Sequence, residues 1–149
     1  MHEENWLKYG VIALAAVGML ILIGFALNSG GQLEGPTWVV EHLTVDGTQT
    51  HPVEGSSLTA TFDGDNVSGL AGCNSFSGGF TTDGNDIEIG PLASTMVFCD
   101  GLMDQEAAYL TLLQSAETYS VDGSTLTLEI GGSAVIEFSD SGDAHTDDM

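Results

Sequence analysis

Two cysteines, Cys73 and Cys99, are the only thiols in the 149-residue chain, and what they do depends on the compartment. In an oxidising one they are expected to pair, closing a loop of about 27 residues worth roughly 3–4 kcal/mol in chain entropy; two buried thiols that never pair are the alternative. A zinc site would need two further ligands, and the folded part offers only His42 and His51, with neither Cys-x-x-Cys nor His-x-x-x-His spacing. No metal site is assigned. Ser75 and Ser77 lack the Gly-x-Ser-x-Gly elbow of a nucleophile, so no catalytic residue and no cofactor are assigned either. Asn74, in Gly72-Cys73-Asn74, is of the type that ties down its own turn through an Asx hydrogen bond, with presentation to a ligand as the rarer use. No Lys follows that turn, which argues against a phosphate cradle. The turns Asp63-Gly64-Asp65-Asn66 and Asp83-Gly84-Asn85-Asp86 are rich in oxygen, but neither continues into a twelve-residue calcium loop. They read as hairpin turns, with weak Ca²⁺ binding as the alternative.

The elements that must position these residues are short. Apolar and polar residues alternate in runs separated by Gly, Asp and Asn: Leu58, Ala60 and Phe62 share one face while Thr59 and Thr61 share the other. Strands are expected at 38–45, 58–62, 66–70, 76–82, 87–89, 95–98, 118–121, 125–130 and 134–138. Between 102 and 116 the period changes. Met103, Ala107, Leu110 and Leu113 recur at three- and four-residue spacing, which predicts one amphipathic helix with Asp104 and Glu106 at the positive end of its dipole. Its apolar stripe needs a partner, and a curved antiparallel sheet is the only one large enough.

Charge and hydropathy set the surroundings. Lys8 is the only Lys or Arg, against 22 acidic residues. Only Glu3 and Glu4 precede residue 10, so 20 carboxylates follow without one Lys or Arg. A field of that sign repels nucleic acid and anionic lipid and suits a salty medium. Residues 10–27 form an unbroken run without a charged, amide or hydroxyl side chain, about 27 Å long as a helix and so close to the hydrocarbon thickness of a bilayer. Trp6 and Tyr9 at its leading edge suit the interface, and Lys8 places the N-terminus in the cytoplasm. Residues 1–9 are thus expected in the cytoplasm, 10–27 as a transmembrane helix and 28–36 as a Gly-rich linker. Cleavage after Ala26 is the rival reading. A folded domain is expected over 37–138, outside the cytoplasm, and a disordered acidic tail over 139–149.

The centre of that domain resembles the META/HslJ-like domain family. The resemblance is carried by Val67-Ser68-Gly69-Leu70-Ala71-Gly72-Cys73-Asn74-Ser75-Phe76-Ser77-Gly78, then Ile89-Gly90-Pro91-Leu92-Ala93-Ser94-Thr95-Met96 up to Cys99, then the helix and the strand pair over 119–128, with Trp38 as the opening Trp. One departure is the basic residue that the family often has near the Thr-Met step: Thr95-Met96-Val97-Phe98-Cys99 has none. The resemblance implies an antiparallel, partly barrel-like sheet packed around one helix, hence an α+β fold after the transmembrane segment. It implies no enzymatic activity and a loose association with stress and drug tolerance. The expectation is a membrane-anchored, non-catalytic envelope domain whose partner is a protein or another envelope component, with a divalent-cation-responsive acidic surface domain as the alternative.

Overall fold

The computed structural model describes residues 32–142. The cytoplasmic segment expected at 1–9, the membrane segment expected at 10–27, the first part of the linker and residues 143–149 of the tail lie outside the described residues. Among those described, no helix is long and apolar enough to cross a membrane.

Among the described residues, ten strands and one helix follow in the order β1 (Thr37–Val45), β2 (Thr48–Thr50), β3 (Thr59–Asp63), β4 (Asn66–Leu70), β5 (Ser75–Asp83), β6 (Asp86–Ile89), β7 (Ala93–Ser94), α1 (Met103–Gln114), β8 (Thr118–Asp122), β9 (Thr125–Ile130) and β10 (Ala134–Asp140). The sheet runs β1-β3-β4-β5-β6-β8-β9-β10, and β10 pairs back with β1. This closes an antiparallel barrel of eight strands, with β2 appended to β1 and β7 to β5. Closure leaves only these short pieces as edges. The seam is thinnest between β6 and β8, where one residue pair, Asp86 with Thr118, is joined by hydrogen bonds from Ile87 N to Glu117 O and from Tyr119 N to Asn85 O.

Alternation decides which side chains fill the barrel. Leu58, Ala60 and Phe62 are fully buried, as are Leu126 and Leu128 on β9 and Ile136 and Phe138 on β10. On β1 the alternation changes phase. Trp38 and Val40 point inward, then the register with β10 shifts between Val40 and His42, and Leu43 is the next buried residue. The extra residue, Glu41, is a β-bulge that bends the strand around the core. Helix α1 completes the interior through Tyr109, whose ring lies edge-on to Phe76 at 5.9 Å and tilted against Phe138 at 6.5 Å. Its hydroxyl donates to Thr59 O at 2.8 Å.

Several expectations need correction. The linker expected to run to residue 36 ends sooner, because Leu33 is buried in the core and its carbonyl accepts the indole N–H of Trp38 at 2.8 Å. Gly64 N–H donates to the Glu34 carboxylate at 2.6 Å. At the other boundary, β10 runs to Asp140 and Ser141 N–H donates to Thr37 O, so residues 139–142 belong to the fold and not to the tail. The strand expected at 95–98 is replaced by the two-residue β7 just before it. Strand β2, Thr48-Gln49-Thr50, is wholly exposed and carries no apolar alternation that could reveal it. On α1 the buried residues are Glu106, Tyr109 and Leu113, whereas Ala107, placed in the apolar stripe by spacing, is exposed.

The glycines separate two kinds of constraint. Gly69 sits where a Cβ would press into the carbonyl oxygen of Thr59, the atom that also accepts from Tyr109. Gly84, in the β5–β6 turn, has φ +62° and open space around it. Gly69→Ala is therefore expected to cost about 3 kcal/mol through overpacking against backbone. Gly84→Ala should cost about 1 kcal/mol, from the left-handed backbone alone. Urea unfolding of both variants tests the difference in size.

Candidate functional site

The turn between β4 and β5 contains Gly72, Cys73 and Asn74, and it is the most heavily cross-linked part of the domain. Gly72 has φ +99°, and a Cβ there would meet the Gln105 side chain at 2.9 Å. Cys73 is disulfide-bonded to Cys99, with Cα atoms 5.9 Å apart. The expected pairing is therefore present, and it ties the β4–β5 turn to the segment that leads into α1.

Asn74 does more than hold its own turn. Its side chain is buried, and every polar position on it is used. Oδ1 accepts from Val97 N–H at 2.8 Å and from the Thr95 hydroxyl at 2.8 Å. Nδ2 donates to Val97 O at 2.9 Å and to Glu106 Oε2 at 2.7 Å. Its backbone N–H donates to Glu106 Oε1 at 2.7 Å, and its carbonyl accepts from Ala71 N–H at 2.8 Å. By bonding both the N–H and the C=O of Val97, the carboxamide takes the place of a neighbouring strand. This is the physical reason that residues 95–98 follow β7 without being strand themselves.

Glu106 has a second role that sequence reasoning did not foresee. It does lie in the first turn of α1, but its carboxylate points inward and is buried, with both oxygens accepting from Asn74. Burial of such a group is tolerable only when its oxygens are hydrogen-bonded. The spacing from Glu106 to Tyr109, Leu113 and Ala116 runs three, four, three, so a carboxylate within that stripe was the available signal. Gln105, its neighbour, anchors the loop after β2: Val53 N–H donates to Oε1 at 2.6 Å, and Nε2 donates to Ser56 Oγ at 3.1 Å.

The clamp leaves an unusual surface. Met96, Val97 and Phe98 are 93%, 60% and 75% exposed. A small cleft of about 200 Å³ lies behind them, lined also by Met103, Asn74 and Glu106. Beside β7, an open concavity of about 600 Å³ is lined in part by Leu70, Ser75, Ser77, Ser94 and Thr95.

The remaining candidates are dispersed. Ser75 and Ser77 are exposed on β5. His42 lies 3.8 Å from Glu137 Oε1, and His51 pairs through Nδ1 with Glu41 O at 3.0 Å, their rings 6.1 Å apart. His42 therefore stands beside a β10 carboxylate and His51 beside a β1 backbone carbonyl, and neither is paired with Ser75 or Ser77. Asp63 pairs with Asn66 and Asp83 with Asp86 across two-residue loops, so both oxygen-rich segments are tight hairpin turns. Among the described residues, no three His, Cys, Asp or Glu side chains gather as metal ligands.

A closed antiparallel barrel, filled by one helix and stapled by a disulfide next to a buried Asn, defines a class of small β-barrel domain. Residues 31–143 match the META domain family, and the chain belongs to it. Similar solved structures include an NMR structure of a protein from Burkholderia xenovorans, at 22% identity with a TM-score of 0.66, covering 73% of this chain and 83% of that one. A crystal structure of a DUF4847 family protein from Bacteroides vulgatus is similar at 16% identity with a TM-score of 0.53, covering 72% of this chain and 93% of that one. These likenesses speak for the fold alone. No curated protein matches the chain.

Two sets of variants test the clamp. Asn74→Ala removes every side-chain partner of Val97 and one of the two donors to Glu106, and should cost about 3 kcal/mol or more in urea unfolding. Glu106→Gln keeps one acceptor and sets a donor against an Asn74 N–H, so it should cost less, about 1–2 kcal/mol. Cys73→Ser with Cys99→Ser should cost about 3–4 kcal/mol, and a reductant should lower the melting temperature of the native chain but not of that variant. Equal stability of Asn74→Ala and the native chain would remove the clamp from the account.

Tyr109 supplies a pH dependence. Burial holds its phenol well above the usual value of 10.0, so between the unfolded and folded values the unfolded chain loses a proton that the native chain keeps. The contribution is complete below about pH 10 and is lost as pH rises through the folded value. Stability measured by urea should fall above about pH 10, and Tyr109→Phe should flatten that part of the fall.

Proposed function

We propose that this chain is a membrane-tethered, non-catalytic binding module whose META domain lies outside the cytoplasm and binds or stabilises another component of the cell envelope. The observation that carries the reading is the exposed Met96-Val97-Phe98 segment, held rigidly by Asn74 on one side and by the disulfide at Cys99. Large apolar side chains on a pinned segment have no folding role to explain their exposure, and such surfaces commonly serve contact with a partner. The tether rests on the apolar run over residues 10–27 and on the single Lys8 before it. The disulfide supports an oxidising compartment for the domain. The stress-related role rests on the family resemblance alone.

Location and binding can be tested in the same cells. The full chain should sediment with membranes, and protease added outside intact cells should digest the domain. A chain lacking residues 10–27 should leave the membrane fraction. Protection of the domain until the cells are lysed would place it inside and sink the reading. Photo-crosslinking in intact cells should capture one envelope component with the full chain and none with a chain lacking the domain.

A further inference from the structure

Hydrogen bonding along residues 93–98 faces one way. Ala93 and Ser94 pair with β5, Thr95 N–H donates to Ser75 O, and Val97 bonds the Asn74 carboxamide through both of its backbone groups. Thr95 N–H and both backbone groups of Val97 are thus bonded inward, and alternation along a chain that continues β7 would turn the N–H and C=O of Met96 outward, together with the N–H of Phe98. Neither residue makes a hydrogen bond among the described residues. The result is a segment continuing β7 that has backbone groups without a partner and exposed apolar side chains.

Proteins ordinarily blunt such an edge with Lys, Pro, a bulge or a covering loop. Here the edge carries Met96, Val97 and Phe98, and it cannot relax inward, because the disulfide and the Asn74 carboxamide fix it from behind. We propose that the outward edge of residues 94–98 is a strand-addition site for an extended peptide segment of a partner, one that alternates aliphatic residues with Lys or Arg. This rests on the binding-module reading and narrows it to one edge and one ligand chemistry.

Three observations choose the occupant. Main-chain pairing with Met96 and Phe98 requires an extended backbone. The cleft lined by Met96, Phe98 and Met103, about 200 Å³, fits an aliphatic side chain from such a strand. Charge sets the rest. Asp100 and Asp104 are exposed just beyond the edge, and no Lys or Arg follows Lys8 in the chain. A cationic segment is attracted, while a second copy of this acidic domain or an anionic lipid surface is repelled.

The test uses the full chain in phosphatidylcholine nanodiscs and a dye-labelled ten-residue peptide of alternating Val and Lys. The controls are peptides of alternating Ser and Lys and of alternating Val and Glu, and a Val–Lys peptide N-methylated at alternate residues. The Val–Lys peptide should bind saturably and at least about ten-fold more tightly than each control, the size expected of a surface with a few dominant contacts. Hydrogen exchange should slow at the Met96 and Phe98 amides. Met96→Ser with Phe98→Ser should remove the binding and leave the melting temperature near native, since both side chains are exposed. Binding that survives this substitution, or equal binding by the N-methylated peptide, overturns the proposal. Slow exchange at these amides in nanodiscs without peptide also overturns it, by making lipid the occupant. Capture of an envelope component through another surface, with the edge amides still exchanging freely, overturns the edge assignment and leaves the binding module standing. No capture and no peptide binding overturn both.

Discussion

Glu106 brings a carboxylate into the interior of the barrel, and the structure around it is arranged so that both oxygens are satisfied. The domain contains no Lys or Arg to pair with it. A cationic partner is also the costlier solution, since desolvating two charges often offsets their attraction. The donors come from Asn74, one from its backbone and one from its side chain. That choice commits the Asn74 side chain to face α1, which leaves Oδ1 and the second N–H of Nδ2 directed at Val97. One residue thus joins the β4–β5 turn, the first turn of the helix and the segment before it. The disulfide then links the same turn and segment covalently through the residue next door.

The two kinds of link differ in the states they act on. Pairing Cys73 with Cys99 narrows the unfolded ensemble, and in the folded chain it fixes the end of the 95–98 segment at Cys99. The Asn74 network exists only in the native state and defines that position residue by residue. A shape defined this firmly matters for a surface that binds, because a pre-ordered segment loses little conformational freedom on association. Gln105 extends the arrangement to the loop after β2, so the start of α1 organises two separate loops through adjacent side chains. Leu102 provides no side-chain cap for this helix. Its start is instead fixed by contacts to other parts of the barrel.

Much of the fold could be read from the sequence because strand alternation and turn chemistry are local. Leu58, Ala60 and Phe62 reported their face correctly, and Asp-Gly steps marked four of the hairpins between paired strands. The pairing of Cys73 with Cys99 was legible because no other thiol competes. The errors arose where distant residues overrode local pattern. Residues 95–98 have strand composition, yet the partner for Val97 is a side chain twenty-three residues away in sequence, which no periodicity reveals. Glu106 does lie in the first helical turn, as expected, but nothing local showed that its carboxylate would be buried against Asn74. Leu33 looked like linker, since its neighbours are Gly, Gln and Glu, and only the Trp38 indole shows that its carbonyl is needed. Ala107 satisfied the apolar spacing but falls outside the face that Tyr109 and Leu113 define.

The absence of Lys and Arg shapes the whole surface as well as this one buried site. Several carboxylates on the domain are satisfied by neutral donors: Glu34 by Gly64 N–H, Glu41 by the Ser139 hydroxyl, Asp140 by Gly142 N–H. Each of these contacts ties a carboxylate to backbone or to a strand end, so the acidic side chains contribute to order without ion pairing. Surface ion pairs would have added little to stability in any case, and less still in a salty medium. What their absence changes is recognition. With no Lys or Arg on its own surface, the domain leaves its field largely uncompensated, and that field repels anions and other acidic surfaces while the apolar edge at Met96 and Phe98 stays open. Charge selects what approaches, and the rigid edge selects what can pair with it once there.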